Sequence, residues 1–495
     1  MVSSFKELTT SVFMKKYLLH ISHIFAVVCM TVMVLCTLSC SKNEDFTTDR
    51  SATLSFSEDT IKFDTVFTTI GSSTEQLMIY NRNSNGVRLK NVTLQNGATS
   101  GFRLNLDGQF GTTFNDIELY GNDSLFCFVE VTVNTQNSND PVLIKDEIVF
   151  TLESGTQQRI PLQVYGQDAV ILHSPTITAN TTYTDVLPYL IYGPLTINEG
   201  VTLTLDPGAR LYFHADGSIN CNGTLYADGT TKEILLRGDR LDKMFWYLPY
   251  DRLDNQWQGI TLGETSKDNY LKNVNIHSGN YGIKAQGNGT ETNKLTFHSS
   301  VIHNVGGAGL SLNNCSATIG NSQISNCRGN CVEITGGSYT FEFCTIAQFC
   351  PWISTRGNAI RFSNGTGSND YVALSQLNIT DCIITGYAKD EVFGIAVKDV
   401  TDAVFNFKFT NCLLDTDEPS SYVENFVNCT YQATDQTTNF HTIDTKNFIY
   451  DFQLNETSIA RGKGTADGDI LTRYPTDRLG KTRDASSIDL GCYQF

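Results

Sequence analysis

Charged residues are scarce in this chain, and positive charge is scarcest. Of its 495 residues 18% are charged, and the formal net charge at pH 7 is −17. A chain this acidic has no generic electrostatic attraction for nucleic acid or for anionic lipid. From this composition we therefore expect no nucleic-acid partner.

Helical periodicity and familiar catalytic motifs are also missing. Over residues 193–230, short apolar runs alternate with polar residues, and Gly, Asp-Pro-Gly or Asp-Gly interrupts them every few residues. This pattern is typical of short strands joined by tight turns. The chain holds no nucleophile elbow, no phosphate loop and no two CxxC pairs. We therefore expect no cofactor and no metal site.

Residues 1–40 have the pattern of an export signal. Lys15 and Lys16 precede an apolar stretch over 17–38, and the segment ends in Thr-Leu-Ser-Cys at Cys40. This ending resembles the lipobox of bacterial lipoproteins, in which the cysteine is acylated and becomes the first mature residue. The resemblance implies that Cys40 is the lipidation site and that the chain reaches its membrane through a lipid anchor.

The residues that follow Cys40 indicate where in the cell envelope the protein is located. Glu44 and Asp45 lie close behind the cysteine, which resembles the acidic export tag of Bacteroidetes surface lipoproteins. The resemblance implies attachment to the outer membrane with the chain facing the cell exterior, and a periplasm-facing anchor stays open. Residues 41–50 are polar, and we expect them to form a tether.

Residues 51–170 alternate apolar and polar side chains in about eight short runs separated by Asn, Gly, Asp and Ser. This spacing favours a two-sheet β-sandwich. The stretch resembles immunoglobulin-like (Ig-like) stalk domains of surface proteins, although it holds one cysteine, Cys127, and no tryptophan. The resemblance implies a spacer, and ligand binding by this domain stays open.

Residues 171–495 repeat a short strand and a turn with a period near 22 residues. The predicted core positions Ile276, Ile302, Ile324 and Ile346 follow one another at intervals of 22 to 26 residues. Such a period fits a parallel β-helix of about ten rungs, spaced about 4.8 Å apart. A leucine-rich repeat would require a leucine-dominated consensus, which is missing.

The stretch from "LTLDPGARLYFHADG" through "QWQGI" resembles the right-handed parallel β-helix family of Bacteroidetes outer-membrane lipoproteins. The final "DRLGKTRDASSIDLGCYQF" is similar to the closing segment of secreted β-helix proteins, with Cys492 in place of the usual alanine. The resemblance implies an all-β chain with a β-helix and a capping tail. Because a free strand edge invites aggregation, we expect the tail to cover the last rung.

Cysteines and histidines recur at equivalent positions of the repeat. Cys344, Cys382 and Cys412 lie at the same place of successive rungs, in "FCTI", "DCII" and "NCLL", which favours an inward ladder of thiols. Disulfides stay open in an oxidising envelope, and the pairs to test are Cys327 with Cys331 and Cys344 with Cys350. His277 and His303 both follow a core isoleucine, so we expect them to stack on neighbouring rungs.

Residues 236–260, the aromatic insertion, interrupt the repeat. Aromatic faces stack on sugar rings, and planar charged groups form paired hydrogen bonds with hydroxyls. The candidate ligand contacts are Trp246, Tyr247, Tyr250, Trp257, Arg240 and Asp251. Two interpretations stay open: a glycan-binding platform, or a lid packed across the side of the β-helix.

An enzymatic alternative depends on charged residues farther along the chain. A uronate-cleaving polysaccharide lyase needs a base and a group that neutralises the uronate, often Ca²⁺. The candidates are Lys389, Lys398, Asp399 and Arg356. Solvated turn charges explain the same residues, and calcium is expected only under this alternative.

The sequence thus predicts a lipid-anchored, all-β surface protein: an Ig-like sandwich followed by a right-handed parallel β-helix. The favoured function is non-catalytic binding of glycans or other cell-surface components. A polysaccharide lyase and a purely structural cell-envelope protein are the alternatives.

Overall fold

The computed structural model describes residues 45–289, 293–351, 355–432, 436–465 and 468–495. Cys40 and Glu44 lie outside these residues. The chain forms two compact units. The first holds the chain up to Ile61 with Thr74–Val129 and Asp146–Leu162, and the second holds Lys62–Ser73, Glu130–Lys145 and Gln163–Phe495. Within the described ranges, no helix is long and apolar enough to cross a membrane.

Ten N-terminal strands form two five-stranded sheets. In spatial order, the first contains Ser55–Phe56, Glu75–Tyr80, Ser124–Val131, Phe102–Leu106 and Gln109–Gly111. The second contains Ile61–Phe67, Gln157–Gln167, Val142–Leu152, Val87–Leu94 and Thr113–Leu119.

Alternation of apolar side chains places one face of these strands in a core. Leu77 and Ile79 are buried on a strand that pairs antiparallel with Ser124–Val131. The rings of Phe56 and Phe150, from different sheets, lie 5.0 Å apart between centroids. Antiparallel sheets agree with the predicted all-β N-terminal part, and the Ig-like assignment stays a prediction.

Three parallel sheets follow, and each turn of the chain adds one strand to each sheet. Sheet 1 has eleven strands: Val170–His173, Tyr189–Tyr192, Arg210–Phe213, Ile234–Gly238, Val274–His277, Val301–Val305, Gln323–Cys327, Thr345–Gln348, Ile383–Gly386, Leu413–Leu414 and Thr430–Tyr431. Sheet 2 has nine: Thr176–Ile177, Pro194–Ile197, Ser218–Cys221, Ile260–Leu262, Ile283–Gln286, Leu310–Asn313, Val332–Thr335, Ile360–Ser363 and Val392–Ile395. Sheet 3 has ten: Thr181–Tyr183, Thr202–Leu205, Thr224–Asp228, Asn269–Lys272, Leu295–His298, Ser316–Gly320, Gly337–Glu342, Leu374–Thr380, Lys408–Thr410 and Phe426–Val427.

The predicted core positions stack in register. Ile276 pairs with Ile302, Ile302 with Ile324, and Ile324 with Ile346, all in parallel strands. All four side chains are buried in the core that the three sheets enclose. The structure therefore confirms the β-helix register that the spacing of isoleucines predicts.

The corner between sheet 3 and sheet 1 explains the frequent polar turns. In seven successive rungs, the residue after the sheet 3 strand has a left-handed backbone with φ near +50°. Among residues other than glycine, asparagine and aspartate tolerate this conformation best. The seven residues are Asn273, Ser299, Asn321, Phe343, Asp381, Asn411 and Asn428.

Phe343 is the unusual member of this corner, because a bulky residue with positive φ is strained. The C-terminal tail holds it. The Arg483 guanidinium lies 3.9 Å from the centre of its ring, and Arg483 also donates to the Asn321 side chain at 2.7 Å. The single described α-helix, Gly468–Arg473, packs beside it through Ile470.

The tail lies elsewhere than predicted. A hairpin of Phe440–Asp444 and Ile449–Leu454, with Leu490 and Tyr493, packs on Ala347, Ile383 and Leu413 of sheet 1. These sheet 1 residues alternate with the core isoleucines and point outward. The tail therefore covers the outer face of sheet 1, and the expectation that it lies over the last rung is wrong.

Short 3₁₀ turns lie at Gly97–Ser100, Tyr250–Arg252, Val423–Asn425 and Gln436–Asn439.

The thiols form a column without disulfides. Cys382 lies against both Cys344 and Cys412, and Cys412 also contacts Cys429, one more rung along. Burial raises the pKa of Cys382 well above its usual value. None of the eleven cysteines among the described residues forms a disulfide, so neither pair proposed for bridging, Cys327 with Cys331 or Cys344 with Cys350, is joined.

Candidate functional site

The aromatic insertion (236–260) carries a small hairpin that ends in exposed aromatic residues. Strand Lys243–Phe245 pairs antiparallel with Leu248–Pro249, so Trp246 and Tyr247 form the turn. The buried side chain of Leu248 anchors the hairpin. Trp246 is 88% exposed, which is exceptional for a residue that normally buries most of its surface.

The exposed rings of this tip contact one another. The rings of Phe245 and Tyr247 stack with 5.8 Å between centroids. Trp246 meets Tyr247 edge to face at 5.3 Å. These contacts restrict the rings, so less side-chain entropy is lost when a flat ligand binds.

Trp257, at the other end of the insertion, lies in the core. It is 0% exposed and stacks on Phe213 with 4.3 Å between ring centroids. Its indole N–H donates to the His277 carbonyl at 2.8 Å. This burial removes Trp257 from the predicted ligand contacts.

Asp251 ties the insertion to the outer face of sheet 1. Its Oδ1 lies 2.5 Å from Arg237 Nη1 and 2.8 Å from His277 Nε2. Burial alone would raise the pKa of Asp251, but the hydrogen bond with His277 and the charge of Arg237 hold it below its usual value. Asp251 is therefore committed to internal partners, which argues against its predicted role as a ligand contact.

His277 and His303 stack on neighbouring rungs, as predicted, with 4.6 Å between ring centroids. Burial lowers the pKa of both rings, that of His303 to about 3, and the neighbouring His277 lowers it further. Both imidazoles are therefore neutral at physiological pH. Their outward positions lie beneath the insertion, where they support it.

Arg240 and Tyr250 join the tip to this base. The Arg240 guanidinium forms two hydrogen bonds with Asp242, at 2.7 and 2.5 Å, and lies 3.9 Å from the centre of the Tyr250 ring. The hydrogen bond with Asp242 raises the pKa of Arg240, so it stays charged. About half of the Arg240 side chain remains exposed, which leaves it accessible beside the aromatic tip.

Two further contacts fix the base of the insertion. Asp254 is buried and forms an ion pair with Arg328, which directly follows the sheet 1 strand Gln323–Cys327. Arg252 donates to the backbone carbonyl of Asn447 in the tail hairpin at 2.9 Å. The insertion thus combines the two interpretations that the sequence left open: its base packs as a lid, and its tip is exposed.

The four residues of the lyase alternative do not form one group. Lys389 pairs with Asp417 at 3.2 Å, and both side chains are exposed. Lys398 and Asp399 are exposed in the loop after Val392–Ile395. The Arg356 guanidinium lies over the Tyr387 ring at 4.9 Å. Across the described ranges, no hydrogen bond or ion pair connects these four candidates.

Two buried carboxyl groups lie near the lyase candidates, and one of them, Asp415, escaped the site prediction. Glu391 accepts hydrogen bonds from the N–H groups of Ala359 and Ala388, both at 2.7 Å. Burial raises its pKa to about 8, and burial also raises the pKa of Asp415 to about 7. Asp415 follows an apolar pair, at the repeat position that holds Thr385 one rung earlier. That departure from the repeat was the available signal.

No group of three or more His, Cys, Asp or Glu side chains is arranged to hold a metal ion in the part of the chain that the structure describes. No curated protein matches the chain.

Two of the solved structures that match the chain show local likeness to it. One is a family 123 glycoside hydrolase from Clostridium perfringens, studied for glycolipid glycan hydrolysis. It has 11% identity and a TM-score of 0.17, over 24% of this chain and 26% of that chain. The other is PapD-like domain 7 of human CEP192, with 10% identity and a TM-score of 0.17, over 26% of this chain and 96% of that domain. The chain thus spans about a quarter of the hydrolase, and neither likeness extends to the whole fold.

A family model gives the more informative match. Residues 258–441 match the model described as "Right handed beta helix region". This range contains the stacked isoleucines, the thiol column and the left-handed corner. This part of the chain is therefore similar to right-handed β-helix regions.

Proposed function

We propose that this protein is a lipid-anchored surface protein that binds glycans through the tip of the aromatic insertion and does not cleave them. The main support for glycan binding is that the Trp246 side chain is 88% exposed, within a ring cluster on a rigidly held hairpin. Stacking on the face of a sugar ring offsets the cost of keeping such a ring in water. The glycan contacts are Trp246, Tyr247, Phe245 and the half-exposed Arg240.

Protein binding is the other common use of exposed aromatic residues, but this tip is small and lies beside the charged pair Arg240–Asp242. Stacked rings next to a guanidinium suit a ligand that has both C–H faces and hydroxyl groups. The net charge of −17 disfavours polyanionic partners. A neutral glycan therefore fits the tip best.

In the same proposal, the N-terminal part of the chain attaches the protein to the membrane. Acylated Cys40 is the anchor, residues 41–50 are the tether, the sandwich over 51–170 is an Ig-like spacer, and residues 171–495 form the β-helix. The expected location is the outer membrane with the chain facing the cell exterior. A Cys40→Ala variant should lose incorporation of a labelled fatty acid, and protease added to intact cells should digest the wild-type protein.

Affinity electrophoresis of the soluble chain (41–495) through gels containing a panel of neutral and uronate-bearing polysaccharides tests the binding. We expect at least one neutral polysaccharide to retard the wild-type chain. Trp246→Ala should reduce the apparent affinity at least tenfold, about 1.4 kcal/mol. The matched control is Phe110→Ala, because Phe110 is an 80% exposed aromatic residue of the N-terminal sheets.

Any other result of the electrophoresis would favour one of the two alternative functions, a structural protein or a lyase. Retardation by no polysaccharide, or equal loss in both variants, would contradict glycan binding at the tip and favour a structural role. Rising absorbance from unsaturated products, abolished by Lys389→Ala or Lys398→Ala, would identify a lyase instead.

A further inference from the structure

A cavity of about 350 Å³ opens beside the start of the aromatic insertion. One wall is the segment 63–73, and the other is the outer face of sheet 1 together with residues 239–242. Every residue of both walls belongs to the second compact unit. The volume falls within the range of pockets that hold small ligands.

Three side chains from consecutive rungs form the sheet 1 wall: Tyr192, His214 and Asp239. The strand register places them side by side, because each directly follows a residue that is paired with its neighbours. The rings of Tyr192 and His214 lie 4.8 Å apart between centroids. His214 Nδ1 lies 2.8 Å from Asp239 Oδ2. Ring stacking and this hydrogen bond therefore hold the wall in a fixed geometry.

This wall offers polar atoms above an apolar surface. The contact with Asp239 occupies Nδ1 of His214, whereas Nε2 has no hydrogen-bond partner among the described residues, and about half of the side chain is exposed. Burial and the charge of Asp239 raise the pKa of Tyr192, so its hydroxyl stays protonated and can donate or accept a hydrogen bond. Buried Leu190 and Phe67 line the same cavity.

The carboxylates of the cavity already have polar partners. Asp242 forms two hydrogen bonds with Arg240, and Asp64 Oδ1 lies 4.0 Å from Lys243 Nζ. The third carboxylate, Asp239, contacts the imidazole of the sheet 1 wall. The lining thus has no excess of positive charge for an anion, and its paired carboxylates offer little to a cation. A neutral ligand with hydroxyl groups fits these walls best.

We propose that this cavity binds one neutral sugar residue of the glycan that stacks on the aromatic tip. Sugar hydroxyl groups form hydrogen bonds with carboxylate, guanidinium, imidazole and phenol groups, and the C–H face of the ring packs on Leu190 and Phe67. Arg240 connects the two places, because it lines the cavity and stays half-exposed beside the tip. Binding in the cavity extends the proposed function and rests on it.

The separation of the cavity and the tip defines the size of the ligand. Strand Lys243–Phe245 begins directly after Asp242 at the cavity and ends at the tip, about 10 Å farther along the chain. A single sugar ring is shorter than this, so an oligosaccharide is needed to reach both places. The cavity therefore selects one residue of the glycan, and the tip adds stacking on its neighbours.

Saturation-transfer difference NMR on the chain 41–495 with Trp246→Ala tests the cavity alone, because this substitution removes the main stacking surface of the tip. The probes are the methyl glycosides of glucose, galactose, mannose, xylose and N-acetylglucosamine, with methyl glucuronide as the charged comparison. We expect at least one neutral glycoside to receive saturation with a measurable apparent affinity, and the glucuronide to receive less.

Substitutions in the sheet 1 wall locate the bound sugar. His214→Ala in this background should weaken the apparent affinity at least tenfold. The matched control is His441→Ala, because His441 Nδ1 also lies 2.8 Å from an aspartate oxygen, Asp451 Oδ2, outside the cavity. Tyr192→Phe keeps the stacked ring and removes one hydroxyl, so it should weaken binding about two- to tenfold.

Failure of the cavity and failure of the tip give different results. The cavity proposal is wrong if no neutral glycoside receives saturation, if the glucuronide binds more tightly than all of them, or if His214→Ala and His441→Ala lose equal affinity. Trp246→Ala would still reduce retardation by polysaccharide in that case. If the tip alone fails, Trp246→Ala leaves the retardation unchanged while the glycosides still bind in the cavity.

Discussion

The tip and the base of the aromatic insertion use the same residue types for opposite purposes. Trp246 at the tip is 88% exposed, and Trp257 at the base is 0% exposed. Arg240 at the tip stays half-exposed, whereas Arg237 at the base is largely buried against Asp251. An aromatic and charged composition therefore locates an insertion but does not show which of its residues contact a ligand and which lie in the core.

The largest expected effect is at the base. Trp257→Ala should lower the free energy of unfolding by about 3–5 kcal/mol, because it removes the stack on Phe213 and leaves a cavity. Trp257→Phe, which keeps a ring there, should cost less. Chemical denaturation of both variants measures this. A cost below about 1 kcal/mol for the alanine variant would contradict the assignment of Trp257 to the core.

A smaller effect at the base is pH-dependent. His303 has a folded pKa near 3, below the value near 6.5 of an unfolded chain. The unfolded chain therefore binds a proton first, so stability should fall as the pH drops from about 6.5 towards 3. Buried His277 acts in the same direction. The charged groups that act on the pair are Asp251, Glu233, Arg237 and Arg478.

Denaturation curves across this pH range test the histidine. His303→Gln should flatten the dependence by up to about 1.4 kcal/mol per pH unit. Exposed His441 provides the control, and His441→Gln should leave the slope unchanged. Identical slopes for wild type and His303→Gln would show that the base does not depend on a neutral imidazole.

The smallest expected effect on stability is at the tip. Trp246→Ala should change the free energy of unfolding by less than about 0.5 kcal/mol, because an exposed side chain loses little packing. The same denaturation assay measures it beside the Trp257 variants. A loss of more than about 2 kcal/mol would mean that the tip supports the fold, and the contrast between the two ends would disappear.

The sequence predicts the β-helix because its signal is local and repeated. The isoleucines recur at the rung period, and Asn273, Asn321 and Asn411 occupy a corner that requires a left-handed backbone. Each rung carries the same information, so the register of one rung supports that of the next.

Features that depend on distant contacts were not predictable in the same way. The outer face of sheet 1 is apolar at Ala347, Ile383 and Leu413, but nothing local shows that the tail covers it rather than the last rung. Trp257 looks like a ligand contact until Phe213, from the previous rung, is known to lie beneath it. Glu391 and Asp415 become neighbours only when their rungs stack.

The most direct test of the central claim uses ¹⁹F NMR on the chain 41–495 labelled with 5-fluorotryptophan. The chain has three tryptophans, and Trp246→Phe and Trp257→Phe assign the two resonances of interest. A polysaccharide that retards the wild-type chain in affinity gels is then added. We expect the Trp246 resonance to shift and the Trp257 resonance to stay in place. A shift at Trp257 with none at Trp246 would contradict glycan binding at the tip.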